Sequence, residues 1–457
     1  MVRRLLVANR GEIAVRIIRA ARELGVRTIA VYSDADAEAV HVRLADEAVH
    51  IGPAQASRSY LDTGAVLAAV RSSGADSVHP GYGFLSERAE FAEGVLESGA
   101  AWVGPSPQAI RSMGDKAEAR RSAQEAGVPI VPGTDGPVAS AADAVAAAEA
   151  VGFPVAIKAS AGGGGRGIRI VGSRDDLAGA VAAAQAEARA AFGSDEVYLE
   201  RFVPRARHIE VQVFGDGENF VHVGVRECSM QRRRQKMIEE AGAATLPAAI
   251  AAEMETAAVA LAESVKYTGA GTVEFLYDEA SGEFFFIEMN TRIQVEHPVT
   301  EMISGLDLVQ EQLRIAFGER LSFTQDDVVL RGHALEVRIN AENPDRDFLP
   351  SPGTVTHLQP PGGPFVRFDS GFTAGSTVPP YYDSLLAKLV VWAGDRGRAV
   401  ERMLRALDEL QLEGLATTAG FVRRLVDTPE FRAGEYHTTF LEQWMQTDRA
   451  EAGVAHV

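Results

Sequence analysis

The chain holds one cysteine, Cys228, in 457 residues, so no internal disulfide can form and neither a thiolate zinc cage nor an iron–sulfur cluster can be built. A reducing cytoplasm is the compartment that fits. No run of about 18 uncharged apolar residues occurs, which excludes a membrane-spanning helix. The apolar stretch near the N-terminus is interrupted by Asn9, Arg10 and Glu12, too soon for a signal peptide. Positive charge is in deficit: 45 Lys and Arg stand against 63 Asp and Glu, a net charge of −18. The average surface therefore repels nucleic-acid phosphates and anionic lipid headgroups, and neither is an expected partner. Lysine is scarce as well, with only Lys116, Lys158, Lys236, Lys266 and Lys388. Each raises the question of what a compact ammonium does there that a guanidinium would not.

What is present is an ordinary globular composition, 46% hydrophobic and 24% charged, in a chain too long for one compact core. Residues 5–8 form a short apolar run, followed by a helical pattern of Ile13, Ala14, Ile17, Ile18, Ala21 and Leu24, a stop at Gly25 and a second strand over 28–32. With a further strand near 76–79, residues 1–113 read as an open α/β domain. Residues 130–204 read as a small α+β lid: an alanine-rich helix over 141–151, a strand ending at Lys158, the glycines Gly162 to Gly165, and a strand over 168–171. Residues 205–446 read as a strand-rich core and a mixed C-terminal domain.

Gly162, Gly164 and Gly167 formally match G-x-G-x-x-G. A dinucleotide fingerprint needs a helix starting at the glycines, whereas a strand is expected here, so the run reads as a flap whose backbone amides close over phosphates, with Lys158 as counter-charge. In the segment Glu288-Met289-Asn290-Thr291-Arg292-Ile293-Gln294-Val295-Glu296, an extended chain would project Glu288, Asn290, Arg292, Gln294 and Glu296 to one side and bury Met289, Ile293 and Val295. A carboxylate and an amide two residues apart suit a hard cation such as Mg²⁺, the arginine an anion, and the last carboxylate a base; a solvated strand face is the other reading. A turn over 278–282 would set Glu274 beside Glu288. The basic block from Arg226 to Lys236 lacks interleaved aromatics and suits a polyphosphate or bicarbonate pocket better than nucleic acid. Arg338 and His208 sit on alternating stretches that spacing alone leaves open between structural and functional roles.

Taken together, these strings resemble biotin carboxylase, the ATP-grasp enzyme of acyl-CoA carboxylases. The resemblance runs from Leu5 to about residue 445 and is carried by His79-Pro80-Gly81-Tyr82-Gly83-Phe84-Leu85-Ser86-Glu87, Met113-Gly114-Asp115-Lys116, the glycine run, and Glu288 through Glu301. It implies an ATP-grasp fold with a Rossmann-like N-terminal domain, a small mobile lid and a C-terminal mixed domain. Carried onto matching positions, it places ATP against Lys116, Lys158, Gly164, Gly165, Glu200, Arg201, Phe202, Val203, His208 and Arg234, with Mg²⁺ or Mn²⁺ on Glu274, Glu288 and Asn290. Bicarbonate falls to Lys236, Arg292, Gln294 and the backbone of Val295, with Glu296 as base. Biotin falls to Arg338 and Tyr82. The chain departs from the family pattern at Arg234 (usually histidine), Ala161 (glycine), Arg201 (lysine) and Gly242 (proline).

The implied reaction is ATP- and bicarbonate-dependent carboxylation of biotin. A biotin carboxyl carrier protein and a carboxyltransferase are expected as separate partners, since no Ala-Met-Lys-Met-like hairpin occurs here, and a homodimer is implied. Two alternatives stand beside it: another ATP-grasp carboxylate–amine ligase, and a non-catalytic nucleotide-binding regulatory subunit.

Overall fold

The computed structural model describes residues 2–451 apart from 135, 139, 160–167, 193, 194 and 243–245. Strand β1 (Arg4–Val7) carries Leu5, Leu6 and Val7, all fully buried. An unbroken apolar run is what a strand covered on both faces requires. Helix α1 (Gly11–Glu23) follows, then β2 (Arg27–Ser33), β3 (Glu47–Gly52), β4 (Ser77–His79) and β5 (Ala101–Trp102), in a parallel sheet of order β3-β2-β1-β4-β5. This is the open α/β arrangement expected for the N-terminal region.

Contacts divide the chain into two compact units, residues 1–128, 208–275 and 288–457 in the larger and residues 129–207 with 276–287 in the smaller. The three-way division expected at 113, 130 and 204 is drawn differently by packing. Ile13 and Ile17 of α1 share one buried cluster with Phe214, Ile293 and Leu308, while Leu6, Ile29, Val78 and Trp102 belong to a second buried cluster formed within residues 6–110. Phe285 joins Val131, Val203 and Ala206 in a cluster of the smaller unit.

In the smaller unit, helix α2 (Ala141–Val151) begins at Ser140, whose side chain accepts from the Asp143 amide. Strands β6 (Val155–Ala159), β7 (Ile168–Val171) and β8 (Val197–Arg201) form an antiparallel sheet of order β7-β6-β8. Residues 168–171 are thus a strand, not the helix that a dinucleotide fingerprint requires. The glycine run itself, with Ala161, Gly164 and Gly165, lies outside the described residues.

An eight-stranded sheet dominates the rest. Its strands are β9 (Ala206–Asp216), β10 (Phe220–Arg232), β11 (Gln235–Ala241), β12 (Thr268–Asp278), β13 (Glu283–Asn290), β14 (His333–Asn340), β15 (Val366–Ser370) and β16 (Leu385–Ala393), in the order β13-β12-β9-β10-β11-β14-β16-β15. Helix α3 (His297–Ser304) follows β13. Among the described residues, no helix is long and apolar enough to cross a membrane.

Candidate active site

The segment expected to stay extended from 288 to 296 does not. Strand β13 ends at Asn290, and residues 291–296 turn into α3, where Pro298 opens the helix with a φ already suited to it. Met289 and Ile293 are buried as expected, but Val295 is only half-buried. The polar side chains still converge, because the turn brings back what the pleat would have carried onward. Asn290 Nδ2 and Gln294 Nε2 donate to Glu274 Oε1 at 2.9 and 2.8 Å. Arg292 Nη2 donates to Asn290 Oδ1 at 2.7 Å, and its Nε to Glu87 at 2.9 Å.

At the centre stands Lys236, near the start of β11. Its ammonium lies 2.5 Å from Glu210, 3.2 Å from Glu274 and 2.6 Å from Glu296. Burial works to lower the ammonium, yet the facing Cys228, Glu210, Glu274 and Glu296 hold it well above its ordinary value. Glu296 shows the converse. Burial disfavours its charge, but Lys236, Arg338 and Arg226 pull its carboxyl far below the usual range, so it stays ionised. Arg338 on β14 donates Nε to Glu239 at 2.6 Å and Nη2 to Glu296 at 3.1 Å. An unbroken run of contacts of 2.6–3.2 Å therefore joins Arg292, Asn290, Glu274, Lys236, Glu296, Arg338 and Glu239.

Tyr82 is presented by a loop that Asn9 clamps, donating 2.7 Å bonds to the Pro80 and Tyr82 carbonyls. Gly81 has φ +64 and lies so near Asn9 that a Cβ would come within 2.8 Å of its amide nitrogen. The Tyr82 hydroxyl donates to Glu12. Val295 contributes its carbonyl oxygen, which accepts from Lys388 Nζ at 2.7 Å. His208 Nε2 lies 3.0 Å from Glu274, whose charge outweighs burial and raises the imidazole. Lys116 opens an exposed helix and contributes to the electrostatics of Glu288. Within the smaller unit, Lys158 on β6 pairs with Glu200 on β8, Arg201 pairs with Asp278 and Glu283, the Phe202 amide donates to Pro154, and Val203 is buried.

Within the basic block, residues 226–232 are buried, and Arg233, Arg234 and Gln235 at the hairpin tip are exposed. Arg234 stands at φ +67 and makes none of the contacts of the Lys236 cluster. In the stretch around Arg338, Glu336 is fully buried and Arg338 and Asn340 are half-buried.

The sequence reading missed Glu210, Arg226 and Glu239. Glu210 alternates with His208 and Gln212, a period-two signal that was there to be used. Arg226 is wholly buried and donates to Glu210, Gln212, Thr272, Thr300 and Gln294, which fixes the Gln294 amide with its nitrogen toward Glu274.

His208, Glu210 and Glu274 bring possible metal-ligand atoms within 4.8 Å of one another, but Lys236 already supplies positive charge to two of them. The set Glu274, Glu288 and Asn290 fits a hard divalent cation better. All three offer oxygen, and partial desolvation, then the charges of Glu274 and Glu87, push the exposed Glu288 carboxyl up, a repulsion that a cation would relieve.

Comparison with known proteins agrees with this geometry. The family description "Biotin carboxylase, N-terminal domain" matches residues 1–110, "Carbamoyl-phosphate synthase L chain, ATP binding domain" residues 115–324, and "Biotin carboxylase C-terminal domain" residues 336–443. A biotin carboxylase of Nostoc sp. is 53% identical over 441 residues, 96% of this chain and 98% of the relative. A pyruvate carboxylase subunit of Methanothermobacter thermautotrophicus is 48% identical over 99% of this chain and 92% of its own. Among solved structures, the biotin carboxylase domain dimer of Hydrogenobacter thermophilus 2-oxoglutarate carboxylase, in complex with MgADP, ADP and bicarbonate, aligns at a TM-score of 0.88 and 44% identity, covering 97% of this chain and 98% of that one. Fold and site together define an ATP-grasp carboxylase. The chain belongs to the biotin carboxylase family, ATP-dependent ligases that carboxylate biotin.

Proposed function

We propose that the chain carries out the first half-reaction of an acyl-CoA carboxylase, transferring a carboxyl group from bicarbonate to biotin on a carrier protein at the expense of ATP. The observation that carries this reading is the contact run from Arg292 through Lys236 and Glu296 to Arg338, which sets cations and a base carboxylate side by side. Bicarbonate is a feeble nucleophile. Held by Lys236, Arg292, Gln294 and the Val295 backbone, it loses its proton to Glu296, and one of its oxygens attacks the γ-phosphorus with release of ADP. The resulting carboxyphosphate breaks to CO₂ and phosphate. Phosphate takes the ureido proton of biotin, the Arg338 guanidinium stabilises the oxygen that gains charge, and the ureido nitrogen bonds to CO₂. Tyr82 lines the biotin position.

Glu296 is too well stabilised to be a strong base before substrate binds. Bicarbonate supplies the missing step by competing for Lys236, which releases part of the hold on the carboxylate. The resemblance assigns the nucleotide to Lys116, Lys158, Glu200, Arg201, Phe202, Val203, His208 and Arg234, with Gly164 and Gly165 outside the described residues. Glu274, Glu288 and Asn290 would hold Mg²⁺, which offsets phosphate charge when bound.

Bicarbonate-dependent ADP formation, measured with and without free biotin, tests the reading. Dependence on an amino acid or organic acid in place of bicarbonate would overturn it, as would tight ATP binding without turnover. The acyl-CoA acceptor rests on the family resemblance of the sequence strings. Carboxyl transfer to acetyl-CoA rather than pyruvate, with the host's own transferase, tests that step. Dimerisation, implied by the resemblance, is tested by sedimentation.

A further inference from the structure

The sheet face that carries Arg338 holds two carboxyls that the proposed reaction does not use. Strands β11 and β14 pair antiparallel with Glu239 directly opposite Glu336, and both residues are 0% exposed. Directly opposed residues place their Cβ atoms about 5 Å apart on one face, an unfavourable position for two like charges. Glu239 Oε1 accepts from Arg338 Nε at 2.6 Å. Among the described residues, Glu239 Oε2 and both oxygens of Glu336 have no hydrogen-bond partner. A buried carboxylate with neither oxygen satisfied is far costlier than the neutral acid.

The charged and titratable groups facing this pair are Cys228 from β10, Lys236 from β11, Glu296 from the turn before α3, Arg338 from β14 and Lys388 from β16. None of the cations is free for Glu336. Lys236 is surrounded by three other carboxylates, Arg338 bonds Glu239 and Glu296, and Lys388 bonds the Val295 carbonyl and stands 3.2 Å from Glu12.

Resting on the biotin carboxylase reading above, we propose that Glu239 and Glu336 are a cross-strand carboxyl pair that holds one proton, on Glu336, and that Glu239 is the positioning residue that aims Arg338. Burial and Glu296 push Glu239 up, against the pull of Arg338 and Lys236, to about 7, and burial drives Glu336 well above the usual range. Below about pH 7 Glu239 gains a proton of its own and its hold on Arg338 weakens. Biotin carboxylation then falls on the acid side with the ionisation of Glu239.

The test uses the full chain with MgATP and bicarbonate, reading carboxybiotin formation with free biotin, and ADP formation without it, across the pH range. Glu239→Gln should lose about tenfold more carboxylation than biotin-independent ATP cleavage, and should lose the acid limb near neutrality. Glu336→Gln, which replaces a neutral acid by a neutral amide, should keep the parent's acid limb. An infrared difference spectrum of parent against Glu336→Gln, at about pH 8, should show a protonated-carboxyl C=O stretch that the variant lacks. That spectrum does not depend on activity. Equal carboxylation by Glu239→Gln and parent, a shifted acid limb in Glu336→Gln, or absence of the carboxyl band overturns the pair while an active parent leaves the reading of the reaction intact. A folded parent without bicarbonate-dependent ADP formation overturns both.

Discussion

Lys388 Nζ donates to the Val295 carbonyl oxygen at 2.7 Å while standing 3.2 Å from Glu12, and the lysine is fully buried. Strand β16 thereby grips the turn that precedes α3, one residue before Glu296. In a chain with 40 arginines this position keeps a lysine, and the geometry explains why: a compact ammonium satisfies a carbonyl and a carboxylate in a space where a planar guanidinium would have to displace one of them.

Lys388→Met should therefore cost stability by about 3–5 kcal/mol, since it leaves Glu12 buried without its counter-ion, and should also lower bicarbonate-dependent turnover through the loosened turn. Lys388→Arg should not restore either. Thermal unfolding and ADP release measured on both variants check this, and full rescue by arginine would show that only charge matters at the site.

Lys236 pairs with Glu210, Glu274 and Glu296 together. The carboxyls of Glu274 and Glu296 lie below their ordinary values, so their contribution to stability is present above the usual carboxylate range and disappears as pH falls through the depressed values. Lys236→Met should abolish bicarbonate-dependent turnover and move the onset of acid unfolding to higher pH. An unchanged acid transition, followed by circular dichroism, would mean that the three carboxylates draw their stabilisation from elsewhere.

The parts of this arrangement differ in how far they could be read from the chain. The β1–α1–β2 unit and α2 were legible because β1 and β2 are short apolar runs, α1 has the 3.6-residue apolar spacing of a helix, and the helices end just before Gly25 and Gly152, both at positive φ. The pairing of Glu239 with Glu336, 97 positions apart, was not, because register between distant strands is set by tertiary packing. Of the face assigned to 288–296, Asn290, Arg292, Gln294 and Glu296 do meet, though not along one extended chain. Period-two projection holds to Asn290, and beyond it a proline-initiated helix bends the chain so that Gln294 and Glu296 return to Glu274 and Lys236.

Arg338 bridges Glu239 and Glu296 and is the direct cross-strand partner of Lys388, on the same face of the sheet. If it steadies the ureido oxygen, Arg338→Ala should reduce carboxylation of biotin by more than tenfold beyond any loss of biotin-independent ATP cleavage, an extra cost of about 1.4 kcal/mol or more in transition-state binding. Arg338→Lys should recover little, because one ammonium cannot replace the two-nitrogen span between Glu239 and Glu296. Equal losses in both reactions would move the role of Arg338 from biotin to bicarbonate or to folding.

Glu296 is buried, ionised and bonded to both Lys236 and Arg338. As the group that takes the bicarbonate proton, it should lose on the order of 10²–10⁴ in bicarbonate-dependent turnover when changed to alanine. ATP binding should be largely spared, since Glu296 bonds none of the residues assigned to the nucleotide and Lys236 keeps Glu210 and Glu274 as partners. Glu296→Gln separates charge from shape. It can still accept from Lys236 and Arg338 but cannot take a proton at neutral pH, so it should be as inactive as the alanine variant while unfolding at a temperature nearer the parent's. Calorimetric titration with ATP and bicarbonate-dependent ADP release, read on both variants, decide the point: equal loss of nucleotide affinity and turnover would make Glu296 a structural partner of Lys236, not the base.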